Sequence, residues 1–211
     1  MPVSSHLFEA YLKCHTKCFL RSLGETTTGN GYSDWGQAQQ ASYRSEEIKR
    51  LTQGAAQYQC VIRPIDGEDV QAAKWCFAVE TTARAQNLES TIHAVERLTS
   101  EGRDRLALFM PIRFIFTNKL HKDDKLLLAF DAFVLSELLG REVGLGKIVH
   151  GDDRATLKVN TGALASDEGQ LGIPLPAATQ WEVVEEAAKL IRQAAQGEVV
   201  HTSGLARLCS A

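Results

Sequence analysis

The segment Lys125-Leu-Leu-Leu-Ala-Phe-Asp-Ala-Phe-Val-Leu-Ser-Glu-Leu-Leu139 predicts a helix that is apolar around most of its circumference. Two acids, Asp123 and Asp124, precede it, where carboxylates favour the start of a helix. Gly140 follows it, where many helices end in a left-handed residue. A helix with so little polar surface has to be covered by other elements. We therefore expect it to pack against a β-sheet.

Strands are predicted on both sides of this helix. Before it, Met110-Pro-Ile-Arg-Phe-Ile-Phe116 belongs to a strand over residues 106–116, and earlier strands are predicted over residues 58–63, 75–82 and 87–97. After it, residues 147–159 predict a hairpin around the turn Gly151-Asp-Asp-Arg154. This succession predicts an α/β fold.

Two further helices are predicted in the N-terminal part. Residues 6–23 have apolar side chains at helical spacing, with a bend near His15, and residues 35–53 form a polar helix. The few apolar anchors of this second helix are Tyr43, Ile48 and Leu51. After Gly162 the pattern weakens, so we expect one domain over residues 1–165 and, over residues 166–211, a linker and a C-terminal helix that packs on or beside it.

The composition limits the classes of function. The 211 residues are 44% hydrophobic and 23% charged, with a formal net charge of −3, so no overall positive field indicates nucleic acid. No apolar run reaches the length of a membrane span, and the N-terminus lacks the pattern of a signal peptide. We expect a cytoplasmic protein without a membrane partner. Five cysteines in no regular pairing favour reduced thiols or a metal site over a disulfide framework.

Several segments, in this order, carry a resemblance to a known family. They are Leu7-Phe-Glu-Ala-Tyr-Leu-Lys-Cys-His-Thr-Lys-Cys-Phe-Leu20, Tyr43-Arg-Ser-Glu-Glu-Ile-Lys-Arg-Leu51, Ile92-His-Ala-Val-Glu-Arg97, Lys119-Leu-His-Lys-Asp-Asp-Lys-Leu-Leu-Leu-Ala-Phe-Asp131 and Gly146-Lys-Ile-Val-His-Gly-Asp-Asp-Arg-Ala-Thr-Leu-Lys-Val159. Together they resemble the RecB-like putative nucleases of the PD-(D/E)XK superfamily, relatives of the CRISPR-associated RecB-like exonucleases. The match is domain-sized and covers roughly the first three quarters of the chain. It implies a restriction-endonuclease-like core, with a mixed central sheet of about four or five strands flanked by helices.

The resemblance also implies a chemistry. Such nucleases hold Mg²⁺ or Mn²⁺ on an Asp of one strand and a Glu of the next, with a Lys two residues after the Glu. In this chain, His93 stands for the Asp, Arg113 for the Glu and Ile115 for the Lys. An Arg cannot ligate a cation and repels it, and an Ile has no proton to transfer. The resemblance therefore implies a nuclease fold in which metal-dependent phosphodiester cleavage is lost or reduced.

A rebuilt catalytic centre is the alternative. It would draw on Glu89, His93, Glu96, Asp123, Asp124 or Asp131. The simpler interpretation makes Glu96 and Asp131 surface or capping carboxylates, makes Asp123 and Asp124 a helix start, and makes His93 a hydrogen-bonded strand residue. The candidate catalytic residues are His93, Glu96, Arg113 and Asp124, with Mg²⁺ or Mn²⁺ as the cofactor if the protein is active.

Cysteines offer a second candidate metal site. Family members with an iron–sulfur cluster join one N-terminal cysteine to three near the C-terminus. Here the candidate ligands are Cys14, Cys18 and Cys209, with His15 or His201 as a conceivable fourth ligand for zinc. A cluster needs about four protein ligands, so an intact iron–sulfur cluster is not expected. Cys60 and Cys76 fit small apolar residues in strands.

Basic residues on the two N-terminal helices are candidate phosphate contacts. They are Lys13, Lys17 and Arg21 on the first helix and Arg44, Lys49 and Arg50 on the second. The alternative is a solvated helix face.

The function implied is that of a DNA-binding accessory factor in DNA repair or in antiphage or CRISPR defence, with a helicase or a defence complex as its protein partner. Two other functions stay open. One is an active Mg²⁺- or Mn²⁺-dependent DNA exonuclease with a displaced metal site. The other is a protein–protein interaction module on a nuclease fold.

Overall fold

A computed structural model describes residues 2–24, 31–54, 60–62, 75–98 and 107–161. Within these ranges the chain has an α/β fold, as predicted: a mixed sheet with helices on both faces. The predicted linker and C-terminal helix, residues 166–211, lie outside the described residues. Across the ranges described, no helix combines the length and apolar character that crossing a membrane requires.

The described ranges contain four helices and seven strands. In chain order they are β1 Val3–Ser4, α1 Ser5–Lys13, α2 His15–Ser22, α3 Gly31–Gly54, β2 Cys60–Ile62, β3 Phe77–Ala85, β4 Leu88–Leu98, β5 Leu108–Ile115, α4 Lys122–Leu139, β6 Leu145–His150 and β7 Ala155–Asn160. The seven strands form one sheet in the order β2-β3-β4-β5-β6-β7, with β1 beside β4. The four or five strands that the resemblance implies were too few. The sequence patterns themselves predict six, and β1 was missed because it is two residues long and carries no recognisable pattern.

The sheet combines both strand directions. β3, β4 and β5 are antiparallel neighbours, β5 and β6 are parallel, and β6 and β7 form the predicted antiparallel hairpin. A parallel pair needs a crossover connection, and α4 supplies it between β5 and β6. The long apolar helix α4 therefore lies against the sheet because it connects the parallel strands β5 and β6.

Helix α4 has the caps that the sequence predicts. Asp124 accepts a hydrogen bond from the backbone of His121 at 2.7 Å, and Gly140 ends the helix in the left-handed region at φ 61°. Gly146 of β6 lies so close to α4 that an added Cβ would approach the Leu128 side chain to 2.7 Å. This contact requires a glycine and sets how closely α4 approaches β6.

Helices α1 and α2 cover the same face of the sheet as α4. The Phe8 and Phe130 rings stack with centroids 4.7 Å apart, and Cys18 of α2 is buried in the same core. The predicted bend is confirmed at Cys14, whose extended backbone, with φ −167° and ψ 117°, separates the two helices.

Helix α3 covers the opposite face. Its predicted anchors Tyr43, Ile48 and Leu51 pack against a second core that includes Ile112 and Phe114 of β5. The Gln40 side chain donates to the Phe114 carbonyl at 2.5 Å and accepts from the Phe116 backbone at 3.3 Å. The side-chain amide of Gln40 thus makes the two hydrogen bonds that a neighbouring strand would make with the backbone of Phe114 and Phe116. Gln40 therefore holds α3 against the end of β5.

Candidate functional site

The two central strands of the sheet, β4 and β5, are paired over only part of their length. β4 and β5 pair from Leu98↔Leu108 to Ala94↔Ile112. Towards its other end, at Leu88 and Glu89, β4 pairs with β1 instead. We call the place where β4 and β5 separate, beside His93 and Arg113, the divergence point. The resemblance puts the catalytic residues of the family here.

His93 fills the gap that the separation leaves. Its Nδ1 accepts a hydrogen bond from the Phe114 backbone at 3.0 Å, in place of a carbonyl of β4, and its ring stacks on Phe114 at a centroid distance of 6.0 Å. Burial lowers the pKa of His93 well below its ordinary value, and the charges of Arg113 and Arg44 lower it further. His93 is therefore neutral, with its proton on Nε2, and it is a hydrogen-bonded strand residue.

Opposite His93 on the neighbouring strand, the backbone of Glu80 has φ 48°. The ladder between β3 and β4 runs from Ala85↔Leu88 to Phe77↔Glu96 and lacks only the step at Glu80 and His93. A non-glycine residue in the left-handed region is strained, so the sheet is irregular on both strands at the divergence point.

Arg113 points to the other face, toward α4. Its Nε donates to Oδ2 of Asp131 at 2.5 Å and its Nη2 to Oδ1 at 2.8 Å. Ser90 of β4 donates a third hydrogen bond to Asp131, at 2.5 Å. Asp131 has no exposed surface, so its interpretation as a surface or capping carboxylate was wrong. The side chain is buried because Arg113 and Ser90 supply the partners that a buried carboxylate needs.

The Arg113–Asp131 pair is held in its charged form. Burial alone would lower the pKa of Arg113, but the adjacent Asp131 carboxylate more than reverses this, and the pKa is raised. Burial raises the pKa of Asp131 above its ordinary value even though Arg113 and Ser90 act in the opposite direction, but the two hydrogen bonds from the Arg113 guanidinium bind the ionised carboxylate. Three charge-assisted hydrogen bonds occupy the carboxylate, so Asp131 is an internal partner of Arg113 and its oxygens are turned away from any other ligand.

The remaining candidate carboxylates each have a partner of their own. Glu96 is bound by Lys147 of β6 at 2.5 Å, with both side chains about one-fifth exposed at 22% and 20%. Glu89 is bound by Arg84 at 2.7 Å, and Asp124 caps α4. In the ranges that the structure describes, no three His, Cys, Asp or Glu side chains come together as a metal-binding group. His93, Glu96, Arg113 and Asp124 are thus not gathered into one centre.

The register of β5 does not change this conclusion. Arg113 and Ile115 face α4, while Ile112 and Phe114 face α3. A shift of one residue would exchange these two sets, as in any strand. Because β5, Leu108-Phe-Met-Pro-Ile-Arg-Phe-Ile115, contains no Asp or Glu, neither register supplies the carboxylate. The side chains present therefore do not fit Mg²⁺ or Mn²⁺ in the manner of the family.

Of the candidate cysteine ligands, Cys14 and Cys18 lie one helical turn apart, and the Cys18 backbone donates to the Cys14 carbonyl at 3.0 Å. Cys18 is buried and its thiol donates to the Leu7 carbonyl at 3.4 Å. Burial raises the pKa of Cys18 to about 11, although Arg21 acts in the opposite direction, so the thiol is protonated near neutral pH. Cys14 lies in the break between α1 and α2, and Cys209 lies outside the described residues. Cys60 packs into the core beneath α3, as predicted.

The six candidate phosphate contacts lie on two sides of the sheet. Lys13, Lys17 and Arg21 all act on His6, whose pKa is lowered by burial and then by these charges, so the three cations share one surface on α1 and α2. The other three, Arg44, Lys49 and Arg50, belong to α3 on the opposite face. The sheet therefore separates the two groups, and the six residues do not line one groove.

Within each group the cations differ in their partners. Lys13 is bound by Glu9 at 2.5 Å, and Arg50 by Glu47 at 3.2 Å. No ion pair engages Lys17 or Arg21 within the described part of the chain. These two side chains lie one turn apart on α2 and form the free part of the basic surface.

No family model matches the sequence, and no curated protein matches it at a significant level. What is said of this chain's site therefore comes from its own residues and geometry. Sequence reasoning missed the network of Ser90 and Asp131 around Arg113, and its Ser5 extension, in which the Ser5 hydroxyl lies 3.3 Å from that of Ser90. One signal was present: Asp131 is an acid inside a helix that is apolar on nearly every side.

Proposed function

We propose that this chain is a RecB-like nuclease-fold protein that binds DNA and has lost metal-dependent phosphodiester cleavage. The observation that carries the proposal is the ion pair between Arg113 and Asp131. A guanidinium stands where the family has a metal-binding Glu, and the nearest buried carboxylate is bound to it by two hydrogen bonds. The divergence point has become a structural connection between β5 and α4.

The charges at this point offer a divalent cation no net attraction. Asp131 is neutralised by Arg113, so it adds no net attraction. His93 is neutral, but its Nδ1 lone pair already accepts the Phe114 hydrogen bond. These residues supply no first ligand from which a metal site could be built.

Binding of DNA needs no metal. Phosphate contacts require spaced cations that are not already paired within the protein. Lys17 and Arg21 on α2 meet this requirement, and His6 and Lys13 lie on the same surface. The formal net charge of −3 makes this a local attraction, not a property of the whole surface.

A DNA-binding protein that does not cut acts through other proteins. An accessory factor in DNA repair or in antiphage or CRISPR defence fits this description, with a helicase or a defence complex as the partner that supplies the catalytic step. The order of antiparallel strands, α4 and a parallel strand agrees with the element order on which the resemblance rests.

The experiment compares two variants that change the charge equally. Lys17→Glu with Arg21→Glu removes the free cations of α2, and Lys119→Glu with Lys158→Glu removes two exposed cations elsewhere. Affinity for fluorescently labelled DNA is measured by anisotropy over a range of salt concentrations. We expect the first variant to weaken binding and to reduce the slope of log affinity against log salt by about two contacts.

Other outcomes would replace the proposal. Equal weakening by both variants would contradict a specific role of α2. DNA degradation that requires Mn²⁺ and disappears in Glu96→Ala would establish the exonuclease with a displaced site. Absence of DNA binding by the native chain would favour the remaining alternative, a protein–protein interaction module on a nuclease fold.

A further inference from the structure

Arg44 has a buried donor with nothing to bind. Its Nε is shielded from solvent, and among the described residues it has no hydrogen-bond partner. The side chain as a whole is only partly buried, so a molecule from solvent can reach the two terminal nitrogens of the same guanidinium. A buried donor is nearly always satisfied in a folded protein, which makes an unsatisfied guanidinium a sign that a partner from outside belongs there.

The carboxylate best placed to pair with Arg44 is already engaged. Glu47 lies one turn further along α3, at the spacing that favours an ion pair with Arg44. It is instead bound by Arg154 of the β6–β7 turn at 2.6 Å and by Arg50 at 3.2 Å. Two cations already share this one buried carboxylate, and Arg44 is left over.

The neighbour of Arg44 at the divergence point adds a second donor. His93 is close enough for Arg44 to lower its pKa, and both of the charges that act on it, Arg113 and Arg44, are cations. Its Nδ1 accepts from Phe114, so Nε2 carries the proton of the neutral ring. The α3 side of the divergence point thus combines positive potential with N–H donors.

We propose that Arg44, with His93 beside it, forms an oxyanion site that binds a phosphate group of the nucleic-acid backbone. A guanidinium is suited to this ligand, because its donors form a planar fork that matches two phosphate oxygens. The identity of the ligand as nucleic acid rests on the proposed function, whereas the presence of an oxyanion site does not. The site is separate from the basic surface of α2, which lies across the sheet.

Inorganic phosphate is the first probe. The melting temperature of the full chain is measured with increasing phosphate and, as the reference, with chloride at the same pH and ionic strength. A ligand that binds only the folded state raises the melting temperature. We expect phosphate to stabilise the native chain and the control variant Lys158→Gln, whose cation is exposed on β7, and to have no such effect on Arg44→Gln.

Arg44→Gln should fold, because its Nε has no partner to lose. Without phosphate its melting temperature should equal or exceed that of the native chain. Arg44→Lys keeps the charge but not the fork, and it should retain only part of the phosphate effect. As a measurement on the native chain, addition of phosphate should shift the imidazole ¹⁵N signals of His93.

DNA binding separates this inference from the proposed function. Arg44→Gln should weaken DNA binding about tenfold, as the loss of one charge-assisted contact does, and Lys158→Gln much less. Equal stabilisation of all variants by phosphate, with unchanged His93 signals, would overturn the oxyanion site while leaving DNA binding through α2 intact. A phosphate effect that depends on Arg44, in a chain that binds no DNA, would uphold the site and refute the proposed function.

Discussion

Arg113 of β5 and Asp131 of α4 form a buried ion pair through two hydrogen bonds of 2.5 and 2.8 Å. The pair joins the central strand to the helix that crosses over to β6. It occupies the position at which the resemblance expects a metal-binding carboxylate. The contact that joins β5 to α4 therefore also engages the Asp131 carboxylate.

Removal of one partner should destabilise the fold strongly. Asp131→Asn leaves the Arg113 guanidinium buried without a countercharge, and we expect a loss of about 3–5 kcal/mol in the free energy of unfolding. The double variant Arg113→Met with Asp131→Leu removes both charges and should cost much less. Denaturant titration measures both. A loss below about 1 kcal/mol for Asp131→Asn would show that the pair is not formed as described.

The close approach of β6 to α4 gives a second prediction. In Gly146→Ala the new Cβ would approach the Leu128 side chain to 2.7 Å, so the helix or the strand has to move. We expect a loss of about 1–3 kcal/mol, typical of overpacking. Gly144→Ala is the matched control, because its Cβ meets only the end of the flexible Glu142 side chain, at 3.4 Å. Similar losses in both variants would contradict the packing.

His93 makes stability depend on pH. In the folded protein its pKa is depressed by burial, Arg113 and Arg44, whereas the unfolded chain titrates near about 6.5. Below that pH the unfolded state binds the additional proton, so the stability that neutral His93 provides is present above pH ~6.5 and is lost as the pH falls.

The loss can reach about 1.4 kcal/mol per pH unit, the value for one proton. His93→Asn has no titrating ring, so its stability should fall less than that of the native chain between neutral pH and about pH 5. The free energy of unfolding, measured at several pH values, decides this. Parallel curves for the two proteins would refute a neutral His93.

The thiol of Cys18 should be inert in the folded protein. Its raised pKa of about 11 keeps the reactive thiolate rare near neutral pH, and the side chain is buried. Peptide mass spectrometry after brief treatment with iodoacetamide should find Cys18 unmodified in the native chain and modified after unfolding. Rapid modification of the native chain, or protection that depends on added zinc, would restore Cys18 as a candidate ligand.

The elements with strong periodicity were predictable from the sequence. The two ends of α4, with Asp124 and Gly140, follow from local chemistry, and so do the hairpin of β6 and β7 and the bend between α1 and α2. Each of these depends on residues that are close in the chain. Local patterns suffice where the interactions that decide a structure are local.

The candidate site depends on contacts between distant residues, and there the sequence was insufficient. Burial of Asp131 requires Arg113, 18 positions away, and Ser90, 41 positions away. No local sequence pattern predicts an ion pair between residues so far apart in the chain. Likewise, the basic residues of α2 and α3 resemble one set in the sequence, and only the packing of the helices on opposite faces of the sheet separates them.

DNA cleavage, measured together with DNA binding, tests the central claim most directly. End-labelled single- and double-stranded DNA is incubated with the native chain and Mg²⁺ or Mn²⁺, and both anisotropy and fragment length are followed. We expect DNA binding that weakens as the salt concentration rises, and DNA that stays full-length with either metal. Metal-dependent shortening of the DNA, abolished by chelation, would contradict it.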